Sequence, residues 1–280
     1  MKKVSIVLPV FNGEEHLAEA IDSVLAQTYE NLELIVVDDC STDKTPQIVS
    51  DFAQKDKRVK VIQNEVNQRL PKSLNIGFAQ AEGDYLTWTS DDNLYKPGAI
   101  EEMANYLEEH SEVDMVYCDY TIIDENGSEK KENLLEEPER LIWTNTVGAC
   151  FLYRREMAEK VGDYNSEMFL AEDYDYWLRV YQTGIIKHLP VNLYYYRHHE
   201  KSLSATRQEQ IKHQTVLLWL KHWKFILKKL GGIRTKLHYC DMMLYMDSEG
   251  HRKNTYRELK KRMPLFGIYK ALGKGIATEK

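Results

Sequence analysis

Hydrophobic positions in the first 120 residues fall into two alternating rhythms. Residues 4–9 are apolar at nearly every position, the mark of a strand covered on both faces. Asn12 then reads as a helix cap, with Glu15 placed to complete a capping box and Leu17, Ile21, Val24 and Leu25 as the buried stripe. Residues 32–37 predict a second buried strand, followed by a helix carrying Ile48, Val49 and Phe52. The series continues with a strand at 59–62, a helix over Leu74 and Phe78, a strand at 85–88 and a helix opened by Pro97. Residues 113–117 predict a fifth strand. Such alternation predicts an α/β fold with a doubly wound, mostly parallel central sheet flanked by helices.

Beyond residue 120 the rhythm breaks. Asp124-Glu-Asn-Gly127 reads as a hairpin turn, residues 146–153 as a strand, and residues 172–181 as a helix burying Tyr174, Trp177, Leu178 and Tyr181. Residues 185–197 predict one or two extended segments broken by Pro190. From about residue 205 the pattern is helical and basic. The expected organisation is therefore a domain over 1–204, with halves 1–120 and 121–204, and a helical C-terminal extension over 205–280.

Composition changes this picture little: 43% hydrophobic and 29% charged over 280 residues is ordinary for a globular chain. No apolar run approaches the ~18 residues of a membrane span. Asn12, Glu14 and Glu15 cut short the apolar start before a signal-peptide core is complete. Cys40, Cys118, Cys150 and Cys240 lie too far apart for metal-ligand or redox spacing and read as buried, reduced thiols of a cytoplasmic protein.

Charge is more telling. Residues 207–280 carry 17 basic and 6 acidic side chains, while the whole chain has a formal net charge of -7. The acidic first portion argues against a nucleic-acid partner. The basic tail suits docking on the acidic domain or on the second subunit of a homodimer. An anionic membrane surface is the rival partner, because residues 217–229 interleave basic and apolar side chains at helical spacing.

Candidate chemistry collects where the first, second and fourth strands end. Ligands of open parallel sheets bind beyond the carboxyl ends of the strands. Those ends carry Asp38 and Asp39, then Asp91 and Asp92, which places at least four carboxylates on one rim. A strand-end aspartate often only caps the next helix, as Asp43 is expected to do. Adjacent pairs are redundant for capping and would repel one another without a bound cation or hydrogen-bond donors. The first strand–helix turn lacks the glycines of a dinucleotide loop, and no Walker-type loop occurs. A diphosphate bound here would need its charge offset by a carboxylate-held metal, and hard oxygen ligands suit Mn²⁺ or Mg²⁺. Two further polar groups stand out. Glu172, Asp173 and Asp175 open a helix, where the helix dipole alone would favour them, but Asp173 could also serve as a general base. Residues 196–204, with Arg197 and His199, read as a polar surface loop or as part of the site.

Taken together, Val4-Ser-Ile-Val-Leu-Pro-Val-Phe-Asn12, Val37-Asp-Asp-Cys-Ser-Thr-Asp43, Thr89-Ser-Asp-Asp-Asn93 and Glu172-Asp-Tyr-Asp-Tyr-Trp177 resemble, in order and spacing, the family 2 glycosyltransferases of GT-A fold. The resemblance covers about residues 3–204, and the run from Asp91 to Pro97 is similar to the SpsA type. It implies that Pro9, Phe11 and Asn12 lie at the nucleotide, with Phe11 offering an aromatic face, and that Asp39 accepts the imide N–H of uracil. It further implies ribose contact at Asp91, metal coordination at Asp92, and general-base action at Asp173. Arg197 and His199 would close over the diphosphate or complete the metal shell. Two departures stand out: Thr89 replaces the family's first aspartate, and Arg69 replaces the usual glycine, where it would contact phosphate or reshape the loop.

The resemblance implies single in-line displacement with inversion from a UDP-sugar to a saccharide or lipid-linked saccharide acceptor, in cell-surface polysaccharide or glycolipid synthesis on the cytoplasmic side, where the tail could touch the inner face of the plasma membrane. A glycosidase is the rival enzyme, disfavoured because its carboxylates would face one another across a groove. A non-catalytic nucleotide-sugar-binding scaffold is the rival outside catalysis.

Overall fold

A computed structural model describes residues 1–271. The chain divides into two compact units, Met1–His199 and Glu200–Lys280. The first unit runs β1 (Val4–Val10), α1 (Leu17–Leu25), β2 (Leu32–Asp38), α2 (Thr45–Lys55), β3 (Val59–Gln63), α3 (Leu70–Phe78), β4 (Tyr85–Trp88), β5 (Leu94–Tyr95), α4 (Ala99–Glu109), β6 (Met115–Ile123), β7 (Glu129–Asn133), β8 (Cys150–Arg154), α5 (Arg155–Val161), α6 (Glu172–Thr183) and β9 (Ile186–Arg197). Among the described residues all nine strands join one sheet in the order β3-β2-β1-β4-β8-β6-β9-β5, with β7 paired to β6.

The apolar runs form strands because both faces are covered: every residue of β1 and β2 is buried. Each such aliphatic side chain contributes roughly 1.5–3 kcal/mol on leaving water. Helix α1 adds Leu17, Ile21 and Val24 to this core. Pro9 sits in a central strand at no cost to the ladder. The pairing of β1 with β4 ends at Val7 and Trp88, so the missing Pro9 N–H falls beyond it.

The α/β architecture is as expected, but its parallel part is confined to β3-β2-β1-β4 and to the β6–β9 pair. Strand β8 enters antiparallel between β4 and β6, so the fifth predicted strand does not neighbour the fourth. It also runs longer than expected, through Ile123, because one edge is shared by β8 and then β7. The predicted turn follows, with Asp124 Oδ1 accepting the N–H groups of Asn126 and Ser128. Pro190 does not break β9: the register jumps from Leu189 opposite Cys118 to Asn192 opposite Asp119, looping out the residue that lacks an N–H.

Several local expectations fail for identifiable reasons. Helix α1 starts at Leu17 with His16 as its cap residue, so no capping box forms from Asn12 and Glu15. Asn12 instead adopts φ 55° in the preceding turn. Helix α4 starts at Ala99, because Gly98 takes φ 80° directly after Pro97. Residues 146–149 stay outside β8. Tyr181 is only half-buried, and so is Cys40; the other three cysteines are buried, and all four are free thiols.

The second unit is helical: α7 (Leu203–Thr206), α8 (Gln208–Lys221), α9 (Trp223–Lys229), α10 (Ile233–Met246), α11 (Glu249–Arg262) and α12 (Pro264–Ala271). The Trp219 and Tyr239 rings meet at 5.4 Å, and Arg262 donates to the Leu220 carbonyl. Among the described residues no helix is long and apolar enough to cross a membrane. In the 217–229 segment Leu218, Trp219, Leu220, Trp223 and Ile226 are buried.

Candidate active site

The loop after β1 is tied down by the loop after β2. The N–H groups of Asn12, Gly13 and Glu14 donate to Ser41 Oγ, Thr45 Oγ1 and Asp43 Oδ2, at 2.9, 2.9 and 3.1 Å. Asn12 Oδ1 accepts the Thr42 N–H, and Glu14 accepts that of Lys44. These donors are therefore spent inside the protein, and the turn is no phosphate cradle. The cap residue of α2 is Lys44, not Asp43, which sits one position earlier and accepts the Thr45 N–H. Phe11, in the same turn, is 50% exposed and offers an aromatic face to solvent. Pro9 lies two residues earlier, buried in β1.

The expected cluster of four carboxylates separates into two kinds. Asp38 accepts from the Ser41 N–H and from Gln63 Nε2. Asp39 is buried, and its Oδ1 accepts from Asn64 Nδ2 at 2.8 Å and from the Gln68 N–H at 2.7 Å. Its Oδ2 accepts the Arg69 N–H at 2.9 Å. A carboxylate offers about four acceptor positions, so one on Oδ2 stays open. This clamp forces Arg69 into φ 67°, ψ 162°, a region that glycine tolerates and other residues avoid. The Arg69 guanidinium lies over the Phe169 ring, 5.5 Å from its centroid.

Asp91 Oδ1 accepts from Ser90 Oγ at 3.3 Å, whereas Asp92 is short of partners. Asp92 Oδ2 lies 3.0 Å from His199 Nε2, whereas Asp92 Oδ1 is buried with no hydrogen-bond partner among the described residues. Asp91 packs onto Gly13, where any Cβ would collide with its carboxylate. Burial, and then the charge of Asp92, push the Asp91 carboxyl up to about 7. His16 approaches from the other side, its ring centroid 6.1 Å from that of His199. Its pKa is lowered by burial and then by the Arg197 charge. Thr89, at the position of the family's first aspartate, is buried and bonds the Tyr194 hydroxyl at 2.5 Å.

Arg197 has its guanidinium engaged within the protein. It is buried, and its Nε donates to the Asp92 carbonyl at 2.9 Å. Nη1 donates to the carbonyls of Asp124 and Glu125, and Nη2 to Glu19 Oε2 at 2.7 Å. Its backbone N–H meets Asn93 Oδ1. A buried guanidinium must be compensated. Here Glu19 and three carbonyls do so, and the arginine fixes the loop that carries Asp92.

Asp173 opens α6. Its Oδ1 accepts the Tyr174 N–H and its Oδ2 accepts from Asn145 Nδ2 at 2.8 Å. Burial raises its pKa. Its neighbour Glu172, 5% exposed, is pushed up to about 8 by burial and then by the Asp173 charge, and accepts the Leu170 N–H. Asn75 joins α3 to this region through paired bonds with the Tyr164 backbone. Thus Asp92 meets His199 and Arg197, Asp39 meets the Arg69 backbone, and Asp173 bonds instead to Asn145. Asn145, Glu19 and His16 escaped the sequence reading: each is a lone polar residue outside any motif.

The profile of Glycosyl transferase family 2 matches residues 5–162. The chain belongs to that family, and glycosyl transfer is its chemistry. An uncharacterized glycosyltransferase of Rickettsia typhi is 32% identical over 238 residues, spanning 81% of this chain and 72% of that protein. Among solved structures, S. aureus TarS 1-349 in complex with UDP-GlcNAc is similar with a TM-score of 0.65 at 19% identity, covering 97% of this chain and 92% of that one. The mannosyltransferase PcManGT of Pyrobaculum calidifontis, in complex with GDP-Man and Mn2+, is similar with a TM-score of 0.62 at 14% identity, covering 97% and 79%. These similarities establish the GT-A fold of this family 2 chain.

Proposed function

We propose that residues 1–204 form an inverting, divalent-metal-dependent transferase that moves a hexosyl or N-acetylhexosaminyl group from a UDP-sugar to a hydroxyl acceptor. The observation that carries this reading is Asp92 Oδ1 in the loop after β4, buried beside His199 and without a hydrogen-bond partner among the described residues. One carboxylate and one imidazole, joined by oxygens of the substrate phosphates, would suit Mn²⁺ or Mg²⁺. Bound there, such an ion would offset the charge of the departing nucleoside diphosphate.

The remaining roles follow from side chains. The exposed Phe11 ring supplies a stacking face for the base, next to Pro9 and Asn12. The open position on Asp39 Oδ2 suits the imide N–H of uracil. Asp91 is assigned to the ribose, and the Arg69 guanidinium to phosphate. Asp173, made more basic by burial and oriented by Asn145, takes the proton of the acceptor hydroxyl. The UDP-GlcNAc held by TarS supports a UDP donor, whereas the GDP-Man held by PcManGT supports the alternative. The acceptor is a saccharide or lipid-linked saccharide at the inner membrane face, with residues 205–280 as the extension that contacts membrane, partner or a second copy.

Calorimetry with UDP, GDP and dTDP, in Mn²⁺ and then in EDTA, tests this reading. UDP-selective binding that needs the metal and disappears in Asp92→Ala is expected. Metal-independent binding, or none, would overturn it. Nucleotide binding without any sugar turnover would favour a non-catalytic scaffold.

A further inference from the structure

Three ligand-type side chains gather in the helical second unit, outside every residue used so far. His213 lies on α8, Asp247 follows the end of α10, and His251 lies on α11. One ligand atom from each falls within 4.8 Å of the others. The two imidazoles stack, with centroids 3.7 Å apart and planes inclined by 21°. Asp247 is 1% exposed; its Oδ1 lies 2.8 Å from His213 Nδ1 and its Oδ2 accepts from Thr255 Oγ1 at 2.6 Å.

Two physical arguments distinguish this group from an ordinary polar cluster. A buried carboxylate needs compensation, and among the described residues no lysine or arginine is paired with the Asp247 carboxylate; Arg252 Nε donates to the Asp247 backbone carbonyl at 2.9 Å. The stacked imidazoles also bring a ring nitrogen of each within 4.8 Å of that carboxylate and of one another. Two imidazoles and a carboxylate form an N₂O donor set. That set suits a borderline-soft divalent ion of the zinc type, with water completing a tetrahedron.

The surrounding bonds point the same way. Ser248 Oγ lies 2.8 Å from His251 Nδ1, which directs Nε2 as the ligating nitrogen, and Thr255 holds the far oxygen of Asp247. Outer partners of this kind orient metal ligands and fix their tautomers. We propose that His213, Asp247 and His251 bind a zinc-type ion that clamps α8 to the α10–α11 turn. Ligand atoms around tetrahedral zinc stand roughly 3.3 Å apart, so modest side-chain rotation closes the set.

The test uses the full chain, stripped with a chelator and dialysed. Zn²⁺ is titrated against a chromophoric chelator, and Co²⁺ is followed by visible absorption. Asp92→Ala is run in parallel to separate this site from the one at Asp92 and His199. About one equivalent of Zn²⁺ should survive Asp92→Ala, give tetrahedral Co²⁺ bands, and bind roughly tenfold or more weakly in His251→Gln. His251 is exposed, and circular dichroism checks that the variant is folded. Zn²⁺ should also raise the melting midpoint of the parent chain but not of His251→Gln. The proposal is overturned if no Zn²⁺ binds beyond what Asp92→Ala removes, or if His213→Gln and His251→Gln bind it as the parent does. Either result leaves a stacked histidine pair hydrogen-bonded to an aspartate.

Discussion

Arg69 offers the sharpest test of the loop that holds Asp39. Its backbone sits at φ 67°, ψ 162° because its N–H is drawn to Asp39 Oδ2. A non-glycine residue held there costs about 1–3 kcal/mol. Glycine removes that strain but adds about 0.5–1 kcal/mol of backbone freedom to the unfolded chain. The comparison is between Arg69→Gly and Arg69→Ala, because both delete the guanidinium and its contact with Phe169. They differ only in the Cβ, and the expected advantage of glycine is roughly 0.5–2 kcal/mol. Urea unfolding followed by tryptophan fluorescence measures it, with a shared slope as the check that only stability has changed. An alanine variant equal to or more stable than the glycine one would refute the reasoning. The same pair separates backbone from side chain in function. The N–H to Asp39 survives in both, so an equal loss of UDP affinity assigns the effect to the guanidinium, and no loss removes it from the phosphate site.

Three other outcomes are expected. Glu172→Gln keeps an acceptor for Leu170 but cannot ionise. Since the folded carboxyl is raised from 4.5 to about 8, the buried charge costs nothing below pH 4.5 and its full amount above about 8. The variant should therefore gain on the parent by roughly 2–5 kcal/mol as pH rises through that window, and a pH-independent difference in urea midpoints would contradict this. Asp173→Asn should leave UDP affinity intact while lowering kcat by about 10²–10⁴-fold, and unchanged turnover would remove Asp173 as the base. Gly13→Ala places a methyl against the Asp91 carboxylate and Val10 Cγ2; a loss of about 1–3 kcal/mol in stability, with weaker nucleotide binding by calorimetry, is expected.

The first two strands were legible because burial on both faces leaves an unbroken apolar run, and β1 and β2 are buried throughout. The insertion of β8 between β4 and β6 was not, since periodicity reports which faces are covered and not which strand lies alongside. Asn12 misled because a polar residue before an apolar stripe looks the same whether it caps a helix or cross-braces two loops. The two aspartate pairs were equally visible as sequence. Only the arrangement of donors separates Asp38 and Asp39, which are well supplied, from Asp92, which has a buried oxygen left over. Arg197 shows the same limit: a basic residue in a polar stretch carries no mark of the carbonyls it will meet.

The grip of Arg197 on the Asp92 carbonyl joins residues 105 positions apart in the chain. Asp92 is therefore not aimed by its own strand alone; its orientation is settled when the last strand of the sheet returns and brings Arg197 and His199 with it. Contacts this distant in sequence form only after a long loop has closed. A fragment ending at residue 162 would keep β1 to β4 and the whole acidic rim, yet lack both residues that set Asp92 in place. In this protein the beginning of the chain supplies the acid, and the return of its ninth strand decides where that acid points.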